Sequence, residues 1–316
     1  MSKRKGHGLK SLKTFIEGRE VVLRNGFRKL LPSQYVENEI KRITKFTDDQ
    51  RQFWKDFQKY LLDEREKRID DIIGSIDSTK VENLNCDFGR IVSSKFAADP
   101  LNGVGSVKLP PGGRFNIAQS SSFSSYFIGL YLAEDYETAF TEKYHRSTEE
   151  QSESDLKHFA LQPNESFSFN RVRVNLENYI DLTNDNTLVA FTDVIKDIVV
   201  PDYYKNLGKK LKIELTMATD SEVVKSFFFN EHYPVWAAWL DQPAPSQLFG
   251  HYCKLAGVQG ILYPSVRNKA KNNLVVFPDN MVESNSSLKL IDEVPYVSED
   301  RRFIDKSNYQ NFINLT

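Results

Sequence analysis

Cysteine is scarce: Cys86 and Cys253 are the only two in 316 residues. They match neither a zinc-ligand spacing nor a secreted disulfide framework. The five histidines, His7, His145, His158, His232 and His251, form no HxxxH or HxH pair. No metal site is expected. No run approaches the ~20 apolar residues that span a membrane. The start, MSKRKGHGLK, has a charged lead without an apolar stretch after it, so it does not read as a signal peptide. These absences point to a soluble cytoplasmic protein. Nucleotide signatures are also incomplete. NGVGSV has a GxG but lacks the third glycine, and no GK[ST] follows any glycine-rich loop. Ser265 stands in YPSVR, not in GxSxG, so a serine-hydrolase nucleophile is not expected. There is no internal repeat. A formal net charge of -1 excludes a whole-molecule polyanion binder.

What remains is ordinary globular material, 40% hydrophobic and 27% charged, which is too apolar for a disordered chain. Residues 1–30 depart from the average, with nine Lys or Arg (Lys3, Arg4, Lys5, Lys10, Lys13, Arg19, Arg24, Arg28, Lys29). This basic arm is either a solvated lead-in or a contact for nucleic acid or an acidic partner. Residues 33–76 carry helical spacing through Phe53, Phe57, Tyr60 and Leu61, then Ile69, Ile72, Ile73 and Ile76. They read as a helical hairpin of their own, with Asp48 or Asp49 capping the start and Gly74 weakening the end.

Composition shifts after about residue 80. FGRIVSSKF alternates as a strand, and DPLNGVGSVKLPPGG reads as a loop. FIGLYLA (127–133) reads as a buried strand, and EDYETAFTEKYHR as a helix. KHFALQ, SFSFNRVRVNL and NYIDL are further strand candidates. Residues 185–256 are mainly helical, and GILYP, NLVVF and LKLIDEV are short strands. Helices and strands mix without regular βαβ alternation, so the fold class expected is α+β. The expected division is a basic arm and helical segment over 1–80, an α+β domain over 81–285 and a C-terminal extension over 286–316.

Several polar residues sit beside this punctuation. In PPGGRFN (110–116) proline and glycine build a tight loop that ends in Arg114 and Asn116. Arg90 lies in the strand before that loop. A guanidinium on a rigid loop suits a pyrophosphate or carboxylate, although most arginines serve surface ion pairs. Glu142 shares a helix face with Thr138 and Asp135. A glutamate there can stabilise an oxocarbenium ion or orient a ribose hydroxyl, or can be a solvated helix residue. Ser265, at the end of a strand, suits a hydrogen bond to a phosphate or hydroxyl. Asn273 begins the next strand.

The ordered set GRIVSSKFAADPLNGVGSVKLPPGGRFN, LYLAEDYETAFTE and GILYPSVRNKAKNNLVVFP resembles the RES family, over about residues 85–285. The resemblance implies a compact ADP-ribosyltransferase-like domain that acts on NAD. Arg90 and Arg114 would bind the phosphates, and Tyr131 would pack near the nicotinamide, with Tyr126 a second candidate. Glu142 would be the acidic residue, Ser265 the serine and Asn273 the asparagine before the late strand. Catalytic roles are thus expected for Glu142, Arg114 and Ser265, and Asn116 is an additional candidate. The implied activity is cleavage of the nicotinamide–ribose bond by hydrolysis or phosphorolysis, as an NAD-depleting toxin. NAD is then substrate, no further cofactor is needed, and inorganic phosphate is an open co-substrate. An antitoxin of the Xre helix-turn-helix type and a second copy of the chain are the partners this implies. ADP-ribosyl transfer to a protein or nucleic acid, and an inactive adaptor, stay open beside it.

Overall fold

The computed structural model describes residues 21–22, 28–29, 33–108, 110–119, 123, 125–144 and 166–314. The KHFALQ stretch lies outside them. So does the basic arm, apart from the backbone of β1 (Val21–Val22) and β2 (Arg28–Lys29), which pair antiparallel. Contacts divide the chain into a smaller unit, residues up to Phe57 with Val200–Leu215, and a larger one, Gln58–Val199 with Thr216–Thr316.

The boundary falls inside α1 (Ser33–Glu66), so Asp48 and Asp49 are mid-helix and do not cap it. In the smaller unit Phe53 stacks on Phe57 at 5.9 Å, and both meet Tyr204 of the helix Asp202–Lys210, at 6.0 and 5.2 Å. Gln50 donates to the Leu211 carbonyl at 3.0 Å. The helical break comes at Lys67–Arg68, and Gly74 sits within α2 (Ile69–Asp77). Ile72 and Ile76 of α2 are buried in the larger unit, where α2 packs on α5 (Val189–Ile195) and α9 (Pro245–Leu255). The expected self-contained hairpin therefore gives way to a helix that shares its apolar face with the larger unit.

That unit is built on a ring of strands. β3 (Val81–Ser93) runs antiparallel to β5 (Phe167–Asp181) from Val81↔Tyr179 to Ser93↔Phe167. The expected strands SFSFNRVRVNL and NYIDL are one continuous β5. The end of β5 pairs parallel with β6 (Gly260–Pro264), at Ile180↔Ile261 and Asp181↔Leu262. β6 pairs antiparallel with β7 (Asn272–Val276), and β7 with β4 (Leu130–Ala133). β4 meets β3 again at Gly89↔Ala133, which closes the ring. β8 (Ser287–Leu290) extends the sheet from β5, and β9 (Phe303–Ile304) extends it from β8.

The period-2 pattern of RVRVNL explains the core. Val172, Val174 and Leu176 are fully buried, while Arg171 and Arg173 on the other face pair with Asp292 and Asp87. Leu130, Leu274, Leu288, Ile304 and Phe312 join the same cluster. Residues after 286, expected as an extension, thus supply two strands and a core phenylalanine.

β5–β6 is the one parallel pair among the described residues, and a parallel pair needs a long crossover. Helices fill it: α5, α6 (Asp202–Lys210), α7 (Ser221–Phe228), α8 (Tyr233–Leu240) and α9. Asp220 caps α7, its carboxylate accepting the Val223 N–H at 2.9 Å. The mixture matches the α+β expectation.

On α9, His251 lies beside the rings of Phe123 and Phe127, and its Nδ1 is buried without a hydrogen-bond partner. Burial, helped by the nearby Lys254 ammonium, holds its pKa below the usual histidine value. The unfolded chain therefore takes up a proton that the folded one refuses. Stability should be level above about pH 7 and should fall as pH drops through ~6.5 toward the lowered folded pKa. Urea titrations of wild type and His251→Phe between pH 7.5 and 5 check this. Equal pH slopes in the two proteins would remove His251 as the source.

Candidate active site

Where the ring closes at Gly89, the surrounding side chains enclose a cavity of about 450 Å³. Arg90, Arg114, Tyr131, Glu142, Lys143, Tyr233, Tyr263, Arg267 and Asn273 contribute to its wall.

Glu142 lies in the last turn of α4 (Tyr136–Tyr144). Asp135 stands just before α4, and its carboxylate accepts the Thr138 N–H at 2.8 Å. Three side chains hold the Glu142 carboxylate. Ser265 Oγ donates to Oε1 at 2.6 Å, Asn273 Nδ2 to the same oxygen at 2.9 Å, and Arg267 Nη1 to Oε2 at 2.9 Å. Arg267 also donates to the Glu142 carbonyl at 2.8 Å. A carboxylate offers about four lone-pair sites, so these donors leave room for roughly one more. The Glu142 side chain keeps 26% of its surface exposed, enough for a ligand to reach it.

Ser265 is buried and is not part of the cavity wall; besides donating to Glu142 it accepts the Asn268 N–H at 2.9 Å. It reaches the cavity through the carboxylate it orients. Asn268 Nδ2 donates to Thr138 Oγ1 at 3.0 Å, so Ser265, Arg267 and Asn268 all tie the turn after β6 to α4.

The PPGGRFN loop, which follows the short α3 (Gly105–Lys108), forms another part of the site. Gly112 has φ 94°, and a Cβ on Gly113 would stand 2.3 Å from the Tyr131 hydroxyl, so both positions need glycine. Tyr131 accepts the Phe115 N–H and donates to Asn116 Oδ1, both at 2.9 Å. Asn116 Oδ1 also accepts the Gly113 N–H at 3.0 Å, and its Nδ2 donates to the carbonyls of Ser106 and Phe127. Asn116 is therefore a fully buried knot beneath the loop, not part of the cavity wall. Burial pushes the Tyr131 hydroxyl well above its ordinary pKa, and it stays protonated. Tyr126 is 41% exposed and does not line the cavity.

Arg114 is 9% exposed, and Tyr233 lies under its guanidinium at 4.8 Å. Its Nη1 donates to the carbonyls of Phe228 at 2.7 Å and Asn230 at 3.1 Å. Both bonds use one nitrogen, which leaves the Nε–Nη2 edge to grip an oxyanion bidentately. Arg90 is half-buried and donates to the carbonyls of Asn102 and Tyr131. Burial draws its pKa down to about 10, with Asp99 acting in the opposite sense, so it remains cationic at neutral pH. Lys143 donates to Ser93 Oγ at 3.2 Å. The wall thus carries Arg90, Arg114, Lys143 and Arg267 against one carboxylate, Glu142, and suits an anionic ligand.

Of the residues expected from sequence, Arg90, Arg114, Tyr131, Glu142 and Asn273 meet at the cavity. Arg267, Lys143, Tyr233 and Tyr263 join them without having been singled out. Arg267 was within reach, two residues after Ser265 in PSVRN. Tyr233 gave no sequence signal, because it arrives on a helix more than a hundred residues from the loop it supports.

A family model described as RES domain matches residues 87–298, and the chain belongs to the RES domain family. Among solved structures, it is similar to a chain of the MbcT–MbcA toxin–antitoxin complex of M. tuberculosis. The identity is 15%, over 77% of this chain and 96% of that one, with a TM-score of 0.38. No curated relative matches at a significant level.

Asn116→Ala removes four side-chain hydrogen bonds from a fully buried position. With buried partners left unsatisfied, the loss should be about 3 kcal/mol. At about 2.1 cal/mol/K of unfolding entropy per residue, that corresponds in a chain of 316 residues to a melting temperature lower by roughly 4–5 °C. A change below about 2 °C in scanning calorimetry would mean that water satisfies the vacated groups.

Proposed function

We infer that this chain acts on NAD and breaks the bond between nicotinamide and ribose, in a domain of ADP-ribosyltransferase-like kind. The observation that carries this is a hydrogen-bonded carboxylate, Glu142, sharing one cavity with an arginine, Arg114, whose bidentate edge is left for a ligand. Family membership supports it. The cationic wall suits the pyrophosphate, and Tyr131, Tyr233 and Tyr263 offer aromatic surfaces to the rings.

In the reaction the C1′–N bond breaks, and its electron pair leaves with nicotinamide. Positive charge then develops on the ribose. Glu142, fixed beforehand by Ser265, Asn273 and Arg267, stabilises that charge without reorganising. Water or inorganic phosphate supplies the new C1′–O bond. Water passes a proton to solvent in doing so and gives free ADP-ribose, whereas phosphate gives ADP-ribose phosphorylated at that carbon. Asn273 and Ser265 act by orienting the carboxylate. By family resemblance the activity is that of a toxin, silenced by an antitoxin of the Xre helix-turn-helix type.

Incubation of purified protein with NAD, with and without phosphate, tests the proposal. Nicotinamide release is expected, and phosphate dependence of the sugar product identifies the acceptor. Label transferred to protein would favour ADP-ribosyl transfer, and no turnover would leave an adaptor.

Glu142→Gln keeps the shape and removes the charge, and turnover should fall on the order of 10²–10³-fold in a protein that still melts cooperatively. Near wild-type turnover would take Glu142 out of the mechanism.

Arg114→Lys keeps the charge and loses the planar fork, so its main effect should be weaker NAD binding, with KM raised about tenfold. Unchanged affinity would leave the loop a role in folding alone.

A further inference from the structure

Gln247 is on α9, more than a hundred residues from the PPGGRFN loop, and is fully buried. Its Nε2 donates to the carbonyls of Pro111 at 2.7 Å, Gly113 at 2.9 Å and Asn116 at 3.0 Å. Its Oε1 accepts the Ala244 N–H at 2.9 Å. The amide can point only one way. Turned over, it would set its oxygen against three carbonyls and its NH₂ against an N–H. An amide NH₂ has two hydrogens for these three acceptors, so one hydrogen is shared between two of them.

Those carbonyls flank Arg114 on both sides in the sequence. A buried loop carbonyl without a donor is costly, and here one side chain supplies several of them. α9 also touches the loop directly: a Cβ on Gly250 would stand 2.0 Å from the Phe115 carbonyl oxygen. The helix thus presses on the loop backbone at Gly250 and holds it at Gln247.

The geometry points to Gln247 as the positioning residue that fixes Arg114 for its anionic ligand. It touches no ligand space itself, being absent from the cavity wall. Its effect is to keep the loop in one conformation, so that the guanidinium is ordered before binding. The identity of the ligand as NAD rests on the proposed function, but the clamp does not.

The test uses the full chain with Gln247→Met and Gln247→Glu. Met has similar length and no donor, and Glu sets a carboxylate against the three carbonyls. In the ligand-free protein, amide hydrogen exchange of residues 112–116 should speed up at least tenfold in both variants, with β3 and β5 unchanged. Unchanged exchange in the loop would overturn the clamp whatever the ligand is. So would loss of the whole fold in both variants by circular dichroism, which would make Gln247 a general core residue.

The coupling to Arg114 is read by calorimetric titration of NAD. Gln247→Met should raise Kd about tenfold with kcat at saturation little changed. The double variant with Arg114→Lys should bind no worse than Arg114→Lys alone, because both act through the same contact. An additive loss near a hundredfold would show that Gln247 does not work through Arg114. Wild-type protein that fails to bind NAD would sink the proposed function, and the exchange result would still decide the clamp.

Discussion

The site depends on one carboxylate being immobile. Glu142 is held by donors from the β6–β7 hairpin, and the hairpin's register makes that arrangement compact. Pro264 pairs with Asn272, so Ser265 just beyond one strand and Asn273 at the start of the other reach the same oxygen. Arg267, in the turn between them, takes the other oxygen and the backbone carbonyl of Glu142. The helix that carries Glu142 is anchored to the same turn through Asn268 and Thr138. Lys271 adds an ion pair to Glu134 at 2.8 Å, just before α4. A surface ion pair contributes little by itself. A network that shares one turn and one helix start restrains orientation more than its separate members would.

Around that carboxylate the cavity has an excess of cations. Arg90 makes the imbalance plain: its guanidinium is desolvated enough to lower its pKa, and its Nε is buried without a hydrogen-bond partner. A cluster of like charges in a recess raises the energy of the empty protein and lowers that of an anionic complex. Arg114 tolerates this setting because its Nη1 is satisfied by backbone carbonyls and its face rests on Tyr233. Carbonyl dipoles hold a guanidinium in place without neutralising it, whereas a carboxylate partner would cancel its charge.

Much of the scaffold was legible in the sequence because it is local. The alternation of RVRVNL and the turn punctuation around GILYP and NLVVF are period and propensity effects within a few residues. The cavity residues carried by those segments, Arg90, Arg114, Tyr131, Glu142 and Asn273, were legible for the same reason, with the family resemblance fixing their order. Ser265 and Asn116 were recognised as polar residues beside the site, but only coordinates show that their bonds run to other protein groups. Tyr233, Gln247 and the placement of α2 were not legible. Each depends on a contact across a large sequence separation, and nothing in the local pattern of YPVWAAWL or APSQLFG says which loop it will meet.

The long stretch between β5 and β6 follows from the same geometry. A parallel pair requires a crossover, and a bare one would need only a single helix. Here the crossover is several helices long, and its later part supplies the Arg114 surroundings: the Phe228 and Asn230 carbonyls, the Tyr233 ring and the Gln247 amide. The Glu142 carboxylate is thus positioned by the hairpin that follows the crossover, and the Arg114 guanidinium by the crossover itself. β6 joins the two systems, since α9 leads directly into it and Ser265 follows it. Phe115 meets Tyr263 of β6 at 4.9 Å, so the loop and the hairpin touch in the core as well. A displacement of α9 would therefore move both halves of the site together, whereas a change in the exposed turn at Arg267 would disturb the carboxylate and leave Arg114 in place.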